Sequence, residues 1–158
     1  MGTVTQRFSM PLEIVFARLV DPAHLRARAE ALGNGRVRVQ GEQRDYGFIL
    51  RVERDVRIEV PPFAQRVLAP VNRVIDRVHW RAVGDERHGT REMEINPKIS
   101  VRSNLLLTPV GGGCVYTDNL AIEVDIPALG KKITPLIARH AEDAITAELR
   151  YTARELGA

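Results

Sequence analysis

The stretch KKITPLIARHAEDAITAELRYTARE, residues 131–155, decides the fold. It contains no glycine, and its one proline, Pro135, comes early, so it predicts a single long C-terminal helix. At about 100° per residue, several side chains share one stripe with Glu148 at its edge. They are Ile133, Ile137, His140, Ala144 and Tyr151. A helix with such a stripe needs an apolar surface on which to pack.

Ahead of this helix, residues 36–126 show the alternation of apolar and polar side chains that is typical of antiparallel strands. The pattern predicts six strands, of which the second holds one apolar face from Tyr46 to Val60. Pro61-Pro62 stops pairing, and a short apolar connection, Phe63 to Ala69, follows. Gly111-Gly112-Gly113 is the clearest hairpin signal.

The N-terminal part adds one strand and two short helices. Residues 3–10 alternate, which predicts a half-buried strand, and Pro11 suits the first position of a helix. Asp21-Pro22 supplies an N-cap and an N1 proline for a second helix, which Gly33-Asn34-Gly35 ends.

The predicted order is one strand, two short helices, six more strands and a long helix, within one domain spanning residues 1–158. The fold class is α+β, with a curved seven-stranded antiparallel sheet wrapped on the C-terminal helix. This two-layer arrangement buries the apolar faces of both elements. It also leaves a cavity between the sheet and the helix.

This order resembles the helix-grip fold of the START-like (SRPBCC) superfamily, which includes polyketide cyclases and birch-pollen-allergen-like carriers. Its most familiar local sign is an apolar helix ending in Asp-Pro, present here from Ile14 to Pro22. Further segments look like the domain-of-unknown-function 2505 family; they are Asp21 to Gly33, Val78-His79-Trp80, Ile126 to Ile133 and Ala144 to Leu156. The resemblance implies the fold, and the family implies no established activity.

Composition excludes several classes of protein. The net charge is only +3 and aromatic residues make up 5%, so nucleic acid is disfavoured as a partner. The lone Cys114 cannot form an internal disulfide, and no export or lipid signal opens the chain. Apolar runs such as Leu105-Leu106-Leu107 are too short to cross a bilayer. We therefore expect a cytoplasmic protein without an integral membrane segment.

Strand parity places charged side chains on the cavity side. Arg54 and Asp76 each alternate with valines, and they can pair if their strands are neighbours, since an unpaired buried charge is costly. Alternatively, either strand bends into water, or the pair contacts a ligand. Arg91 and Asp118 also share the apolar parity, but they lie near predicted strand ends, where we expect water.

Two predicted surface features each have more than one possible role. The segment Phe63 to Leu68 lies near the predicted cavity mouth, where it packs over the core, acts as a lid or touches a membrane surface. On the solvent side, basic residues line one strand opposite acidic residues of its neighbour, which favours a charge-balanced face over an anion site. They are Arg73, Arg77, His79 and Arg81.

The candidate ligand contacts combine apolar bodies with polar tips; they are Trp80, Tyr116, His140 and Tyr151, together with Arg54 and Asp76. His140 suits a general acid or base, although a hydrogen bond to a neighbour is the more ordinary role. The histidines lie too far apart in sequence for a zinc pattern, so no metal is expected, and no cofactor either. The catalytic residues stay unassigned.

Three hypotheses follow, and a homodimer is compatible with each. The first is a module that binds a small hydrophobic molecule, such as a lipid or polyketide. The second is a cyclase-like or dehydratase-like enzyme that uses His140 with Glu148 or Asp76. The third is a filled domain that recruits a protein partner. A His140–carboxylate pair at an open pocket favours the enzyme, whereas inner charges that neutralise one another disfavour it.

Overall fold

The computed structural model describes residues 2–157. The strands are β1 (Gly2–Phe8), β2 (Gly35–Arg44), β3 (Gly47–Arg57), β4 (Val71–Val83), β5 (Glu86–Asn96), β6 (Ile99–Val110) and β7 (Gly113–Val124). The helices are α1 (Leu12–Leu19), α2 (Pro22–Ala31) and α3 (Gly130–Glu155), and a 3-10 turn covers Pro62–Ala64. The predicted element order and the α+β class are confirmed.

All seven strands form one antiparallel sheet in the order β1-β7-β6-β5-β4-β3-β2. Strands β2 to β6 each pair with the next strand in sequence, and β1 joins the far side of β7, with Val4 opposite Asp118. The curved sheet wraps on α3, which lies closest to β1 and β7. The space between α3 and strands β3 to β5 therefore holds the site described below.

The second short helix, α2, begins as the sequence predicts, whereas α1 begins at Leu12 with Pro11 at its N-cap rather than at its first position. Pro22 lies in the first turn of α2, and the Asp21 carboxylate accepts a hydrogen bond of 3.1 Å from the backbone N–H of Ala23. His24, Leu25 and Ala29 of α2 are buried. This helix therefore turns the polar side chain of His24 towards the interior.

The buried face of α3 is rotated from the predicted stripe. Residues four apart along the helix are buried; they are Ile133, Ile137, Ala141, Ile145 and Leu149. Steps of four residues keep a row of side chains on one face, so the row passes beside His140 and Ala144, which are half-buried on its flank. Tyr151, also half-buried, lies outside the row.

The strand predicted to reach Val60 ends earlier. β3 stops at Arg57, because the N–H of Ile58 bonds at 2.8 Å to the carbonyl of Pro70 and the chain leaves the sheet. Tyr46 precedes the strand in a turn, where its side chain is 58% exposed. The connection after Pro61 contains one 3-10 turn, Pro62–Ala64.

Trp80 lies at the centre of the core. It is opposite Gly89 in the β4–β5 pairing, and a Cβ at Gly89 would lie 2.8 Å from the indole ring. The rings of Phe16 and Tyr116 pack edge-on against Trp80, at centroid distances of 5.7 and 6.0 Å. Glycine at position 89 therefore makes room for the indole.

Candidate functional site

Two cavities lie between the sheet and the helices. The inner cavity, of about 50 Å³, is lined by Trp80, Tyr116 and Glu148 among others. The outer cavity, of about 210 Å³, is lined by Arg54, His140 and Glu148. Its apolar walls include Val56, Val74, Met93, Ile95 and Ala144. Glu148 lines both cavities, so charged groups stand between them.

The predicted pair of Arg54 and Asp76 is confirmed. Arg54 Nη1 lies 3.2 Å from Asp76 Oδ2, and both residues are buried. In the β3–β4 register Arg54 is opposite Val74 and Val52 is opposite Asp76, so the two charges meet diagonally on the inner face. Neither strand bends its charged side chain into water.

Glu148 of α3 connects this pair to Arg28 of α2. Its carboxylate lies 4.0 Å from Arg54 Nη2 and 3.7 Å from Arg28 Nη2, and Arg28 also donates a 3.1 Å hydrogen bond to the Thr152 hydroxyl. The sequence reasoning missed Arg28. The spacing within α2 could have indicated that Arg28 faces inward, because residues 24, 25, 28 and 29 fall on one helical face.

Arg91 and Asp118 form a second buried ion pair, and the expectation that they lie in water is wrong. Asp118 is fully buried, Arg91 is 7% exposed, and Arg91 Nη2 donates to Asp118 Oδ2 and, at 3.1 Å, to the Ser103 hydroxyl. The parity was right but the depth was not, since β5 and β7 extend well beyond both residues on either side.

Together these residues form a charge cluster of three arginines and three carboxylates; Arg54, Arg91, Asp76 and Asp118 are buried, and Arg28 and Glu148 are half-buried. The formal charges cancel. A balanced cluster is what a low-dielectric interior tolerates, because the loss of one partner leaves an uncompensated charge.

The two carboxyls beside Arg54 respond differently to burial. Burial raises the pKa of Asp76, although Arg54 acts against that effect. Burial also acts to raise the pKa of Glu148, but Arg28, Arg54 and Arg91 outweigh it and hold that pKa below its usual range. Glu148 is therefore ionised at neutral pH, and Asp76 is protonated more readily as the pH falls.

Four buried polar atoms of the cluster have no hydrogen-bond partner among residues 2–157. They are Arg54 Nη1, Asp76 Oδ1, Arg91 Nε and Asp118 Oδ1. Asp76 and Arg91 line the inner cavity, and Arg54 lines the outer one. Unsatisfied donors and acceptors beside a cavity give it polar groups that can orient a bound molecule.

His140 faces the outer cavity but has no paired acid. Burial and the nearby Arg54 lower the pKa of the ring, so it is neutral at neutral pH. Within the part of the chain that the structure describes, the ring makes no hydrogen bond and no ion pair. His140 and Glu148 thus share a cavity without the direct His–carboxylate contact that general acid–base catalysis favours.

The predicted aromatic contacts separate into two groups. Trp80 and Tyr116 line the inner cavity, and burial raises the pKa of Tyr116, so its hydroxyl stays protonated. Tyr151 lines neither cavity. Its ring packs 5.7 Å from that of His24, and its hydroxyl donates to Glu155 at 3.4 Å.

His24 is a buried titratable group that the sequence reasoning did not single out. Its Nε2 lies 2.9 Å from the Thr152 hydroxyl, which also accepts from Arg28. Burial and the adjacent Arg28 lower the pKa of His24 to about 4. The ring is therefore neutral and fastens α2 to the last turns of α3.

The outer face of the sheet is polar; Arg73 pairs with an acid of β3 as predicted, whereas Arg77 pairs with acids of β5. Arg73 lies 3.1 Å from Asp55, and Arg77 lies 3.5 Å from Glu94. An open trough of about 880 Å³ crosses this face, larger than either inner cavity. Its exposed arginines, Arg77 and Arg102, both contact Glu92 at 3.9 Å, so they are already partnered. We place the candidate site inside the sheet, where atoms without a hydrogen-bond partner lie beside apolar walls.

Two further observations concern residues 2–157. No group of three or more His, Cys, Asp or Glu side chains in this range is arranged to hold a metal ion. None of the helices described here has the length and apolarity required to cross a membrane.

The architecture is the helix-grip fold, which several solved structures share. An aromatase/cyclase, Zhui from Streptomyces sp. R1128, superposes with a TM-score of 0.63 at 11% identity, covering 98% of this chain and 91% of that one. A START superfamily protein from Mycobacterium smegmatis gives a TM-score of 0.55 at 12% identity, covering 98% and 97%. Norcoclaurine synthase from Thalictrum flavum gives 0.55 at 13%, covering 98% and 86%.

The chain belongs to the family described as protein of unknown function DUF2505, which it matches over residues 3–156. A search of curated proteins finds no match. The identities to the solved structures are low, so the likeness establishes the fold and leaves the ligand and any reaction to be argued from the site.

Proposed function

We propose that the protein binds a small hydrophobic molecule between the sheet and α3, through the outer cavity. The observation that carries this proposal is the buried guanidinium of Arg54 at the wall of the outer cavity. Nη1 of Arg54 lies 3.2 Å from Asp76 but forms no well-aligned hydrogen bond within residues 2–157. Its surroundings are apolar, and they include Val56, Met93 and Ala144. Apolar walls with a few convergent polar groups are typical of ligand sites.

The volume of the outer cavity limits the ligand. About 210 Å³ lies below the roughly 300–1,000 Å³ of ordinary ligand pockets. A larger molecule requires the inner cavity as well, and the charge cluster stands in its path. The 4.0 Å contact between Arg54 and Glu148 is the longest in the cluster, so it is the contact we expect to open first.

A cyclase-like or dehydratase-like enzyme is the second candidate. The observation in its favour is that His140 and Glu148 line the same cavity. Against it, the cluster charges neutralise one another and the ring is not hydrogen-bonded to a carboxylate. The third candidate, a filled domain that binds a protein partner, is favoured by the small inner volume of about 50 Å³.

The proposal includes a cytoplasmic location and one ligand-binding domain over residues 1–158. The single cysteine, Cys114, is free and buried, and it supports a reducing compartment.

A cavity-filling variant tests the site. Ala144→Leu places a larger side chain into the outer cavity, whereas Ala27→Leu makes the same change at an exposed position of α2 that lines neither cavity. With anilinonaphthalene sulfonate as the probe, titrated by fluorescence, we expect Ala144→Leu to weaken binding at least about tenfold and Ala27→Leu to leave it unchanged. Equal binding by the two variants would place the probe elsewhere and contradict the proposal.

A further inference from the structure

The three lysines of this arginine-rich chain lie at one end of the molecule. Among 23 basic residues, only Lys98, Lys131 and Lys132 are lysines. Lys98 lies in the turn between β5 and β6, and the other two lie in the first turn of α3. All three are exposed.

The antiparallel topology brings these segments to the same edge of the sheet. The N–H of Asp125, just after β7, donates a 2.8 Å hydrogen bond to the carbonyl of Lys98. The side chain of Asn96 donates at 2.9 Å to the carbonyl of Val67, which ties the β5–β6 turn to the connection between β3 and β4. A Cβ at Gly130, where α3 begins, would lie 3.4 Å from the carbonyl of Val124.

Two arginines at this edge complete a set that we call the basic tip; its members are Arg57, Arg66, Lys98, Lys131 and Lys132. All are exposed, and none forms an ion pair with another residue in the range 2–157. Elsewhere on the surface, some arginines such as Arg77 contact glutamates, and others such as Arg81 and Arg150 form no ion pair within residues 2–157. The exposed acids near the tip are Glu59 and Asp125, so positive charge dominates there.

Apolar side chains are exposed between these charges. Phe63 is 42% exposed and Val71 is 45% exposed. The segment that carries Phe63 is packed against the core through Ala64 and Leu68, which are both buried. Phe63 is therefore held outward by a packed segment.

We propose that the basic tip docks reversibly on an anionic lipid surface, with Phe63 entering the interface. Unpaired basic side chains are attracted to anionic headgroups, and an aromatic side chain among them adds apolar burial at the membrane surface. A nucleic acid fits less well, since the tip presents one exposed aromatic ring and no row of rings for stacking bases. Arg57 also lines the outer cavity, so docking brings that cavity close to the lipid.

Vesicle co-sedimentation of the full chain tests this proposal. With equimolar phosphatidylcholine and phosphatidylglycerol at low salt, we expect the wild type to bind, and we expect no binding to phosphatidylcholine alone. Salt of about 1 M should abolish binding, because it screens surface charge to about 3 Å. Lys98→Gln/Lys131→Gln/Lys132→Gln should lose at least about tenfold in apparent affinity. Phe63→Ser should weaken binding with the charge unchanged.

The matched control is Arg81→Gln/Arg150→Gln/Arg154→Gln, which removes the same charge from exposed positions outside the tip. It should bind as the wild type does. Three results would each overturn the proposal. They are a wild type that does not bind anionic vesicles, a triple lysine variant that binds them as the wild type does, and an equal loss of affinity in both triple variants. The wild-type lipid and salt comparison decides the question even if a variant fails to fold.

Discussion

The guanidinium of Arg54 on β3 lies 4.0 Å from the carboxylate of Glu148 on α3, and this contact stands between the inner and outer cavities. The charges that connect the sheet to the helix therefore also limit the space available to a ligand. Stability and binding depend on the same side chains, and variants of the cluster can measure each separately.

Glu148→Gln should destabilise the fold by about 3 kcal/mol, because it leaves Arg28 and Arg54 without their shared carboxylate in a buried setting. Urea unfolding measures the change. Asp143→Asn, at an exposed position of the same helix, should change stability by less than about 0.5 kcal/mol. A loss below about 1 kcal/mol for Glu148→Gln would show that the carboxylate is not a required partner.

Asp118→Asn should also cost about 3 kcal/mol, since Arg91 would keep a buried charge without a counterion. The double variant Arg91→Met/Asp118→Leu removes both charges and should recover much of that stability. Unfolding of the single and double variants forms the comparison. If the double variant is less stable than Asp118→Asn, apolar replacement does not relieve the site and the electrostatic explanation fails.

Gly89→Ala should destabilise the core by about 1–3 kcal/mol, because its Cβ would approach the Trp80 ring to 2.8 Å and displace it. Since Trp80 is the only tryptophan, its fluorescence should shift as well. Gly112→Ala is the control, as a Cβ there meets nothing within 4 Å. Identical fluorescence and stability for both variants would be inconsistent with this packing.

His24 predicts a pH dependence of stability. Its pKa is lowered from 6.5 to about 4 in the fold, so the unfolded chain binds the proton more strongly and stability falls as the pH drops from 6.5 towards 4. The raised pKa of Asp76 acts in the opposite direction, so the informative quantity is the difference between His24→Gln and the wild type. We expect the variant to lose less stability over this window, measured by urea unfolding. An equal slope would contradict the assignment.

His140→Ala should weaken binding of anilinonaphthalene sulfonate while changing stability by less than about 1 kcal/mol, because the half-buried ring lines the outer cavity and makes no internal hydrogen bond in the described chain. His88→Ala, on the outer face, serves as the control for binding. If His140→Ala loses much of its stability while its affinity for the probe stays unchanged, the histidine has a structural role.

Periodicity was sufficient to predict the element order and the fact that Arg54 and Asp76 face inward. It succeeded because strand parity and helical spacing depend on local sequence, and because valines on both sides marked the face of each charge. The pairing itself followed from the expectation that buried charges are neutralised, which the 3.2 Å contact confirms.

The rest of the cluster depended on tertiary structure. Arg28 and His24 lie in a helix rich in polar residues, where an arginine ordinarily faces water, and only the position of α3 shows that they point inward. The alternation of residues placed Arg91 and Asp118 on the correct, inner face of the sheet. Their burial depended on the lengths of β5 and β7, which the sequence did not determine. The cavity volumes could not be predicted from the sequence. They depend on the way in which the long, charged side chains fill the space under α3.

Native mass spectrometry of the purified protein, followed by denaturing extraction, tests the central claim most directly. We predict a small hydrophobic molecule that stays bound in the native spectrum or that binds after incubation with a lipid and polyketide panel. A protein that stays empty and gains no thermal stability from any member of that panel would contradict ligand binding between the sheet and α3.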